Sequence, residues 1–383
     1  MKKFLILVSL FSFMELVSSC VTPFEPEGVV FNERMLVIEG NILVNDFTRV
    51  VLSHSKALDE PEGVEYVKMA QVWVESDKGE KYYSRRVVSG DKVVYEINTA
   101  GADVRDNYRL VVNVEGKVYE SDFVPVKISP EIDEIGFTLS KDSTEVTFHV
   151  NSHDPLKKTN YYMWSFREDW EFNSYIYSMF EYEPNSKKIY EIPHEDNRNT
   201  CWNHSVSRDI LIASTEHLSE DRVFQKKLVS IGNTDNKINY LYSMQLSQIA
   251  LTREGYIYWE NIRKNSDDIG GIFAPQPSEI AGNIKCVTDP SEKVIGFISA
   301  SAVSRKRIFT YSWEIGIYRS PLYCNTEPIG GSLALRDSLY AIGYDVVFYT
   351  PETGESVWSP KTCVDCRLFG TKTKPSFWPN DHI

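Results

Sequence analysis

The segment Ser53-His54-Ser55-Lys56 contains residue types that could act in covalent catalysis. A serine with a lysine three residues later and a histidine beside it could supply a nucleophile and its base. The segment follows the strand-like run Val50-Val51-Leu52, however, so its side chains should alternate across a sheet instead of converging. The sequence also has no His-Glu-x-x-His, no Gly-x-Ser-x-Gly and no phosphate-binding loop. We therefore expect no enzyme activity, no catalytic residues and no cofactor.

Cys363-Val364-Asp365-Cys366 could be a redox motif, half of a zinc site or a source of disulfides. Zinc would need a second ligand pair, and the histidines are too scattered to supply one, so no metal site is expected. In an exported protein, Cys363 and Cys366 are better explained as disulfide cysteines. The sequence leaves open whether they bond to each other or to Cys201, Cys286 or Cys324.

An aromatic stretch interleaved with acidic residues is the strongest candidate for a binding surface. Its aromatic members are Tyr161, Tyr162, Trp164, Phe166, Trp170, Phe172, Tyr175, Tyr177, Phe180 and Tyr182. Alternate side chains of a strand point to opposite faces, so only about half can enter one core. We expect Trp164 to lie in the core with Tyr162 and Phe166. The predicted contacts with a partner or ligand, on an exposed segment beyond that core, are Trp170, Phe172, Tyr175 and Tyr177. The alternative is that a long loop folds over these rings as a second core.

Residues 1–20 are typical of a bacterial lipoprotein signal. Lys2 and Lys3 precede an apolar run that is too short to span a bilayer, and Val17-Ser18-Ser19-Cys20 ends the segment. We expect residues 1–19 to be removed, Cys20 to carry the acyl chains, and residues 20–34 to form a tether.

The charge balance limits the classes of partner. The chain has 54 acidic and 41 basic residues, a net charge of −13. Nucleic acid is therefore not expected as a partner, because its binding depends on basic contacts to phosphate. Attachment to a membrane should come from the N-terminal acyl chains and not from a basic patch.

Short strands separated by turn signals fill residues 36–126. Residues 71–75 alternate polar and apolar side chains, and Glu115-Gly116 is typical of a hairpin turn with positive φ. This pattern predicts an immunoglobulin-like β-sandwich over residues 35–130.

Residues 131–383 are predicted to form a larger β-rich domain with a cysteine-containing C-terminal tail. The expected boundary is at residues 128–133, where Pro130 interrupts the strand pattern. Thr252 is a plausible N-cap, and apolar or small residues then recur at helical spacing. The pattern predicts one amphipathic helix near residues 252–265.

Several blocks of the sequence resemble the domain-of-unknown-function 4249 family. They are Leu36-Val37-Ile38-Glu39-Gly40, residues 271–284 with Pro275-Gln276-Pro277-Ser278, residues 294–301, and the C-terminal Cys363-Val364-Asp365-Cys366 with Lys374-Pro375-Ser376-Phe377-Trp378. The resemblance implies an outer-membrane lipoprotein of Bacteroidota-type bacteria, often found beside TonB-dependent transporters. It implies no activity and no catalytic residues.

These features together predict a lipid-anchored, mainly β protein of the outer membrane. The expected role is accessory binding, in association with a TonB-dependent transporter or another envelope β-barrel. The rival expectation is a structural or assembly lipoprotein that has no small-molecule ligand.

Overall fold

The computed structural model of the protein describes residues 34–56, 63–267, 282–317 and 324–380. Strands hold 51% of the described structure and helices 12%, which confirms the predicted mainly β class. The expected signal peptide, Cys20 and residues 271–281 of the family-like block lie outside the described residues. Within the described ranges, no helix has the length and apolar character needed to cross a membrane.

The described residues form twenty-five strands and four α-helices. The strands are β1 (Leu36–Val44), β2 (Phe47–His54), β3 (Glu65–Tyr66), β4 (Gln71–Ser76), β5 (Lys81–Ser89), β6 (Lys92–Asn98), β7 (Asn107–Val114), β8 (Lys117–Ser121), β9 (Val124–Ile128), β10 (Ile132–Leu139), β11 (Glu145–His153), β12 (Tyr161–Asn173), β13 (Phe180–Glu183), β14 (Lys188–Glu191), β15 (Thr200–Val206), β16 (Leu211–Ser214), β17 (Arg222–Gly232), β18 (Leu241–Ala250), β19 (Ile284–Cys286), β20 (Val294–Ile295), β21 (Ala300–Ala302), β22 (Ser304–Tyr311), β23 (Glu327–Ile329), β24 (Tyr344–Thr350) and β25 (Glu355–Pro360). The helices are α1 (Arg253–Asp267), α2 (Ser312–Ile315), α3 (Leu333–Ala341) and α4 (Lys361–Val364).

Eight of these strands close into a barrel. The hydrogen-bonded order runs β7, β4, β5, β6, β2, β1, β21, β9 and returns to β7. β21 lies parallel to both neighbours, so that Ala300 pairs with Ile42 of β1 and with Val126 of β9. The predicted immunoglobulin-like sandwich is not confirmed, because strand pairing continues around the ring instead of leaving two separate sheets. The boundary near residue 130 stays a prediction, although residues 284–302 return to pair with the N-terminal strands.

Side chains fill the barrel interior. Ile38, Leu52, Val74, Tyr95 and Leu110 come from different strands of the ring, and all are buried in one hydrophobic cluster. An eight-stranded barrel has an interior just wide enough for side chains to fill it. The barrel is therefore built around a packed core.

Two further sheets face each other across a second core. One has the order β10-β11-β17, and the other has the order β15-β12-β18-β22 with β16 beside β12. Phe148 on β11 and Tyr242 on β18 pack with ring centroids 4.8 Å apart. β12 is a central strand of the larger sheet, so it is covered by neighbouring strands along both edges.

Helix α1 confirms the helix predicted near residues 252–265, but the described residues also contain three shorter helices, α2, α3 and α4, that were not predicted. The Thr252 hydroxyl accepts the Gly255 N–H at 3.1 Å and so caps the first turn. A Cβ atom at Gly255 would lie 3.1 Å from the Ser299 hydroxyl and 3.2 Å from the Phe297 ring. Glycine therefore allows α1 to pack closely on the segment that precedes β21.

A small C-terminal sheet, β23-β25-β24, packs with the β13-β14 hairpin and α3. Tyr182, Val346 and Trp358 form its buried cluster. The chain then continues through α4 to a tail that crosses β15.

Candidate functional site

β12 carries most of the aromatic stretch as one strand of thirteen residues. Tyr162, Trp164, Phe166, Trp170 and Phe172 are all buried in the second core. The prediction that Trp170 and Phe172 lie on an exposed segment is wrong, since their exposed fractions are 5% and 2%. The physical reason is that the strand does not end at Phe166. The alternation continues to Asn173 and keeps the even-numbered side chains on one face.

Glu168 is the acidic member of this core-facing row. Its carboxylate accepts hydrogen bonds from the Tyr242 hydroxyl at 2.9 Å, the Ser205 hydroxyl at 2.6 Å and the Lys237 ammonium at 2.7 Å. Burial raises the pKa of Tyr242 well above its usual value, and the neighbouring Glu168 charge raises it further. A buried carboxylate with three donors is a structural group, because its desolvation is compensated within the protein.

Asp169 and Glu171 project from the opposite face of β12, and both are buried. Asp169 forms ion pairs with Arg167 at 2.8 Å and Arg307 at 3.3 Å. Glu171 accepts the indole N–H of Trp378 at 2.8 Å. These acidic residues therefore hold the sheet and the C-terminal tail in place.

Two disulfides fix the segment that follows β25. Cys366 bonds to Cys201 on β15, and Cys363 bonds to Cys324. Cys286 is a free, buried cysteine. Because Cys201 lies opposite Phe172 in the β12–β15 ladder, the Cys366 bridge brings this segment to the C-terminal end of β12.

The tail after Cys366 is held against β15 by backbone pairing. Trp202 and Thr371 exchange two N–H···O bonds of 2.8 Å. Between them and the disulfide lies Gly370, where a Cβ atom would be 2.9 Å from the Phe172 ring and 2.5 Å from the Trp202 carbonyl oxygen. Only glycine allows this close approach, since a real Cβ atom cannot occupy that space.

A cleft of about 310 Å³ opens where this segment meets the end of β12. We call it the β12 cleft. Its lining residues are Phe172, Asn173, Ser174, Tyr175, Thr234, Asp235, Asn236, Thr362, Cys366 and Phe369. Of the four predicted contact residues, the structure brings Phe172 and Tyr175 into the lining, whereas Trp170 and Tyr177 are not part of it. Tyr177 is 49% exposed.

The β12 cleft combines aromatic rings with neutral polar groups and one carboxylate, that of Asp235. The Asn173 side-chain oxygen accepts from the Thr200 hydroxyl at 2.9 Å, which leaves its amide N–H groups available to a ligand. Asp235 accepts the Lys237 backbone N–H through one oxygen and caps a short 3₁₀ helix at Asn236–Ile238. Tyr175 and Phe369 are partly exposed rings beside amide and hydroxyl groups, and this arrangement suits a ligand with both apolar and hydroxylated faces.

Sequence reasoning missed the residues that come from the β17–β18 connection and from the tail. Thr234, Asp235 and Asn236 form a short polar run, which is the only local sign of a binding loop. The sequence around Phe369 does not indicate a binding residue, because the position of Phe369 depends on the disulfide partner of Cys366.

The Ser53–Lys56 segment begins at the end of β2 and continues beyond it. Ser53 and His54 are consecutive residues of β2, and Ser53 is buried. The Ser55 hydroxyl accepts the Met35 backbone N–H at 3.0 Å. Within the described part of the chain, His, Cys, Asp and Glu residues form no group of three that could hold a metal ion.

One family model matches the chain. A family model described as a domain of unknown function (DUF4249) matches residues 21–307. No curated protein matches the chain. Among solved structures, a DUF4785 family protein from Legionella pneumophila aligns with 12% identity over 56% of this chain, at a TM-score of 0.17. The alignment spans only 52% of that protein, and at this TM-score it carries no argument about fold or function.

Proposed function

The chain belongs to the DUF4249 family, and from that premise we propose that it is a lipid-anchored binding protein of the outer membrane that captures a small ligand in the β12 cleft. In this proposal the protein is an accessory to a TonB-dependent transporter or another envelope β-barrel. The ligand is a neutral polyhydroxylated molecule such as a sugar.

The β12 cleft is the observation that carries this proposal. Phe369 is 45% exposed at its edge, although apolar rings are usually covered. Asn173, Asn236 and Thr362 supply uncharged donors and acceptors beside it. Stacking of a sugar ring on an aromatic face, with hydroxyl groups bonded to amides, would use both features.

Ligand binding is tested with the mature chain and a panel of neutral mono- and oligosaccharides, measured by isothermal titration calorimetry. Phe369→Ala should weaken binding of any hit at least tenfold, which is the loss of about 1.4 kcal/mol expected for a contact of moderate strength. Tyr190→Ala is the matched control, because Tyr190 is a similarly exposed ring on β14 outside the cleft lining. Equal losses in both variants, or no binding across the panel, would reject the sugar-binding part of the proposal.

The anchor and the partner need a separate test. Residues 17–20 motivate the exchange Cys20→Ser, which should move the protein from the membrane fraction to the soluble envelope fraction. A detergent pull-down of the native protein should recover a β-barrel partner in stoichiometric amount. A Cys20→Ser protein that stays in the membrane, or a native protein without a partner, would contradict this half of the proposal.

The rival role, a structural or assembly lipoprotein, is favoured by an aromatic cluster in which the exposed Trp313 packs with the half-buried Tyr240 and Tyr311. Trp313 is 61% exposed and stacks on Tyr311 with ring centroids 4.0 Å apart. Tyr240 contacts Trp313 edge to face at 5.9 Å. Exposed tryptophan is enriched where proteins meet. If Trp313→Ala removes the pull-down partner while sugar binding is absent, the assembly role is the better description.

A further inference from the structure

A second cleft, of about 390 Å³, lies beside the tail and shares no lining residue with the β12 cleft. We call it the charged cleft. Its lining residues are Glu181, Ile192, Pro193, Glu195, Asp196, Arg198, Arg367 and Lys372. Six of these eight residues are ionisable, so charge determines what the cleft can bind.

Two of the three cations already have carboxylate partners. Arg198 is 1% exposed and its guanidinium pairs with Asp345 at 2.5 Å. The Arg198 Nε atom is buried and has no hydrogen-bond partner. Arg367 pairs with Asp365 at 2.8 Å and remains partly exposed. One donor of the buried arginine is therefore unsatisfied, which is unusual for a buried charged group.

Lys372 has no carboxylate partner among the described residues. Its ammonium donates to the Thr200 carbonyl oxygen at 2.7 Å and contacts the Asn197 side-chain oxygen at 3.5 Å. Burial lowers the pKa of Lys372 and the nearby Arg367 charge lowers it further, and the charges of Asp196 and Asp365 offset this only in part. A ligand carboxylate placed here would raise this pKa, because an opposite charge favours the ammonium form.

The acidic residues of the lining are on the exposed rim. Glu181, Glu195 and Asp196 are all exposed, and none of them takes part in an ion pair within the described ranges. Among the described residues, these carboxylates do not belong to any group of three or more His, Cys, Asp or Glu side chains that could hold a metal ion. The cleft thus has unpaired negative charge at its rim and an incompletely compensated cation inside.

We propose that the charged cleft binds a small zwitterion, either an amino acid or a dipeptide. The carboxylate of the ligand meets Lys372 and Arg367, and its ammonium group faces Glu181, Glu195 or Asp196. A simple anion would be repelled by the rim carboxylates, and a simple cation would be repelled by Lys372. Both charges on one ligand satisfy both parts of the lining.

The experiment compares three probes on the mature chain by isothermal titration calorimetry at low salt. Glycylglycine carries both charges, acetate carries only the carboxylate, and ethylammonium carries only the cation. We expect glycylglycine to bind at least tenfold more tightly than either single-charge probe, and we expect added salt to weaken its binding. Acetate binding as tightly as glycylglycine would overturn the proposal in favour of a simple anion site, and no binding of glycylglycine would also overturn it.

Variants assign the binding to this cleft. Lys372→Met should weaken glycylglycine binding at least tenfold, whereas Lys374→Met, two residues along the same tail and outside the lining, should leave it unchanged. Asp196→Asn, at an exposed position, should weaken binding without affecting folding, and it decides the outcome if Lys372→Met does not fold. Unchanged binding in Asp196→Asn and in a folded Lys372→Met would overturn the assignment. Phe369→Ala should not affect glycylglycine binding, so failure of the sugar-binding proposal can be distinguished from failure of this one.

Discussion

The indole N–H of Trp378 donates to the carboxylate of Glu171 at 2.8 Å and joins the tail to β12 across 207 residues of sequence. Both side chains are buried. Trp378→Phe keeps an aromatic ring but removes this donor from a buried carboxylate, which should lower the free energy of unfolding by about 1–3 kcal/mol. Urea denaturation followed by circular dichroism measures the loss. Trp313→Phe, at a 61% exposed position, should change stability little, and a Trp378→Phe protein as stable as wild type would contradict the prediction.

Trp170 should behave as a core residue. Trp170→Ala removes a ring that is 5% exposed and that also lies under the Lys237 ammonium, 5.3 Å from the ring centroid. The expected loss is about 3–5 kcal/mol of unfolding free energy, comparable to that of Trp164→Ala. Tyr177→Ala is the control from the same aromatic stretch, since Tyr177 is 49% exposed. Similar melting temperatures for Trp170→Ala and Tyr177→Ala would show that Trp170 is not part of the core.

The cysteines should give a specific peptide map. Digestion without reduction should yield a Cys201–Cys366 peptide and a Cys324–Cys363 peptide, and of the five cysteines in the described ranges Cys286 alone should be alkylated after unfolding. A Cys363–Cys366 crosslink would contradict the structure. The double exchange Cys201→Ser and Cys366→Ser should cost about 2–4 kcal/mol of stability, because it frees a long loop in the unfolded chain.

Asp365 should make stability sensitive to acid. Burial alone would raise the pKa of Asp365, but the hydrogen bonds and charge of Arg367 more than offset it, so this pKa lies below its usual value. A carboxyl group with a lowered folded-state pKa stabilises the protein above its unfolded-state pKa, and that contribution is lost as pH falls through the folded-state pKa. Asp365→Asn should therefore be less stable than wild type by about 1–3 kcal/mol at pH 7. This difference should shrink below about pH 4. Urea titrations at pH 7 and pH 3 test the sign, and a difference that grows in acid would contradict it.

Local patterns predicted local structure well. The turn at Glu115 and Gly116 has the expected positive φ values of 52° and 86°, and α1 begins directly after its Thr252 cap. The core positions of Trp170 and Phe172 could also have been predicted from the sequence, because the alternation with a period of two continues past Phe166. The error lay in ending the strand too early.

Contacts between residues far apart in the sequence could not be predicted from local patterns. Ala300–Ala302 is a strand of three residues, too short for alternation to be recognised, yet it pairs with β1 and β9. The same holds for the β12 cleft, which depends on the partner chosen by Cys366. Spacing alone allows several partners, and only the packed fold selects Cys201.

The parallel placement of β21 sets an order for folding. A chain that is synthesised from its N-terminus can form the hairpins up to residue 128 early, but the last gap, between β1 and β9, stays open until residues 300–302 are available. During that delay two strand edges are exposed to pairing with other chains. Folding should consequently be slow, since closure waits for contacts of large sequence separation. Protection of these two strand edges before closure is then as important to the molecule as the stability of the closed barrel.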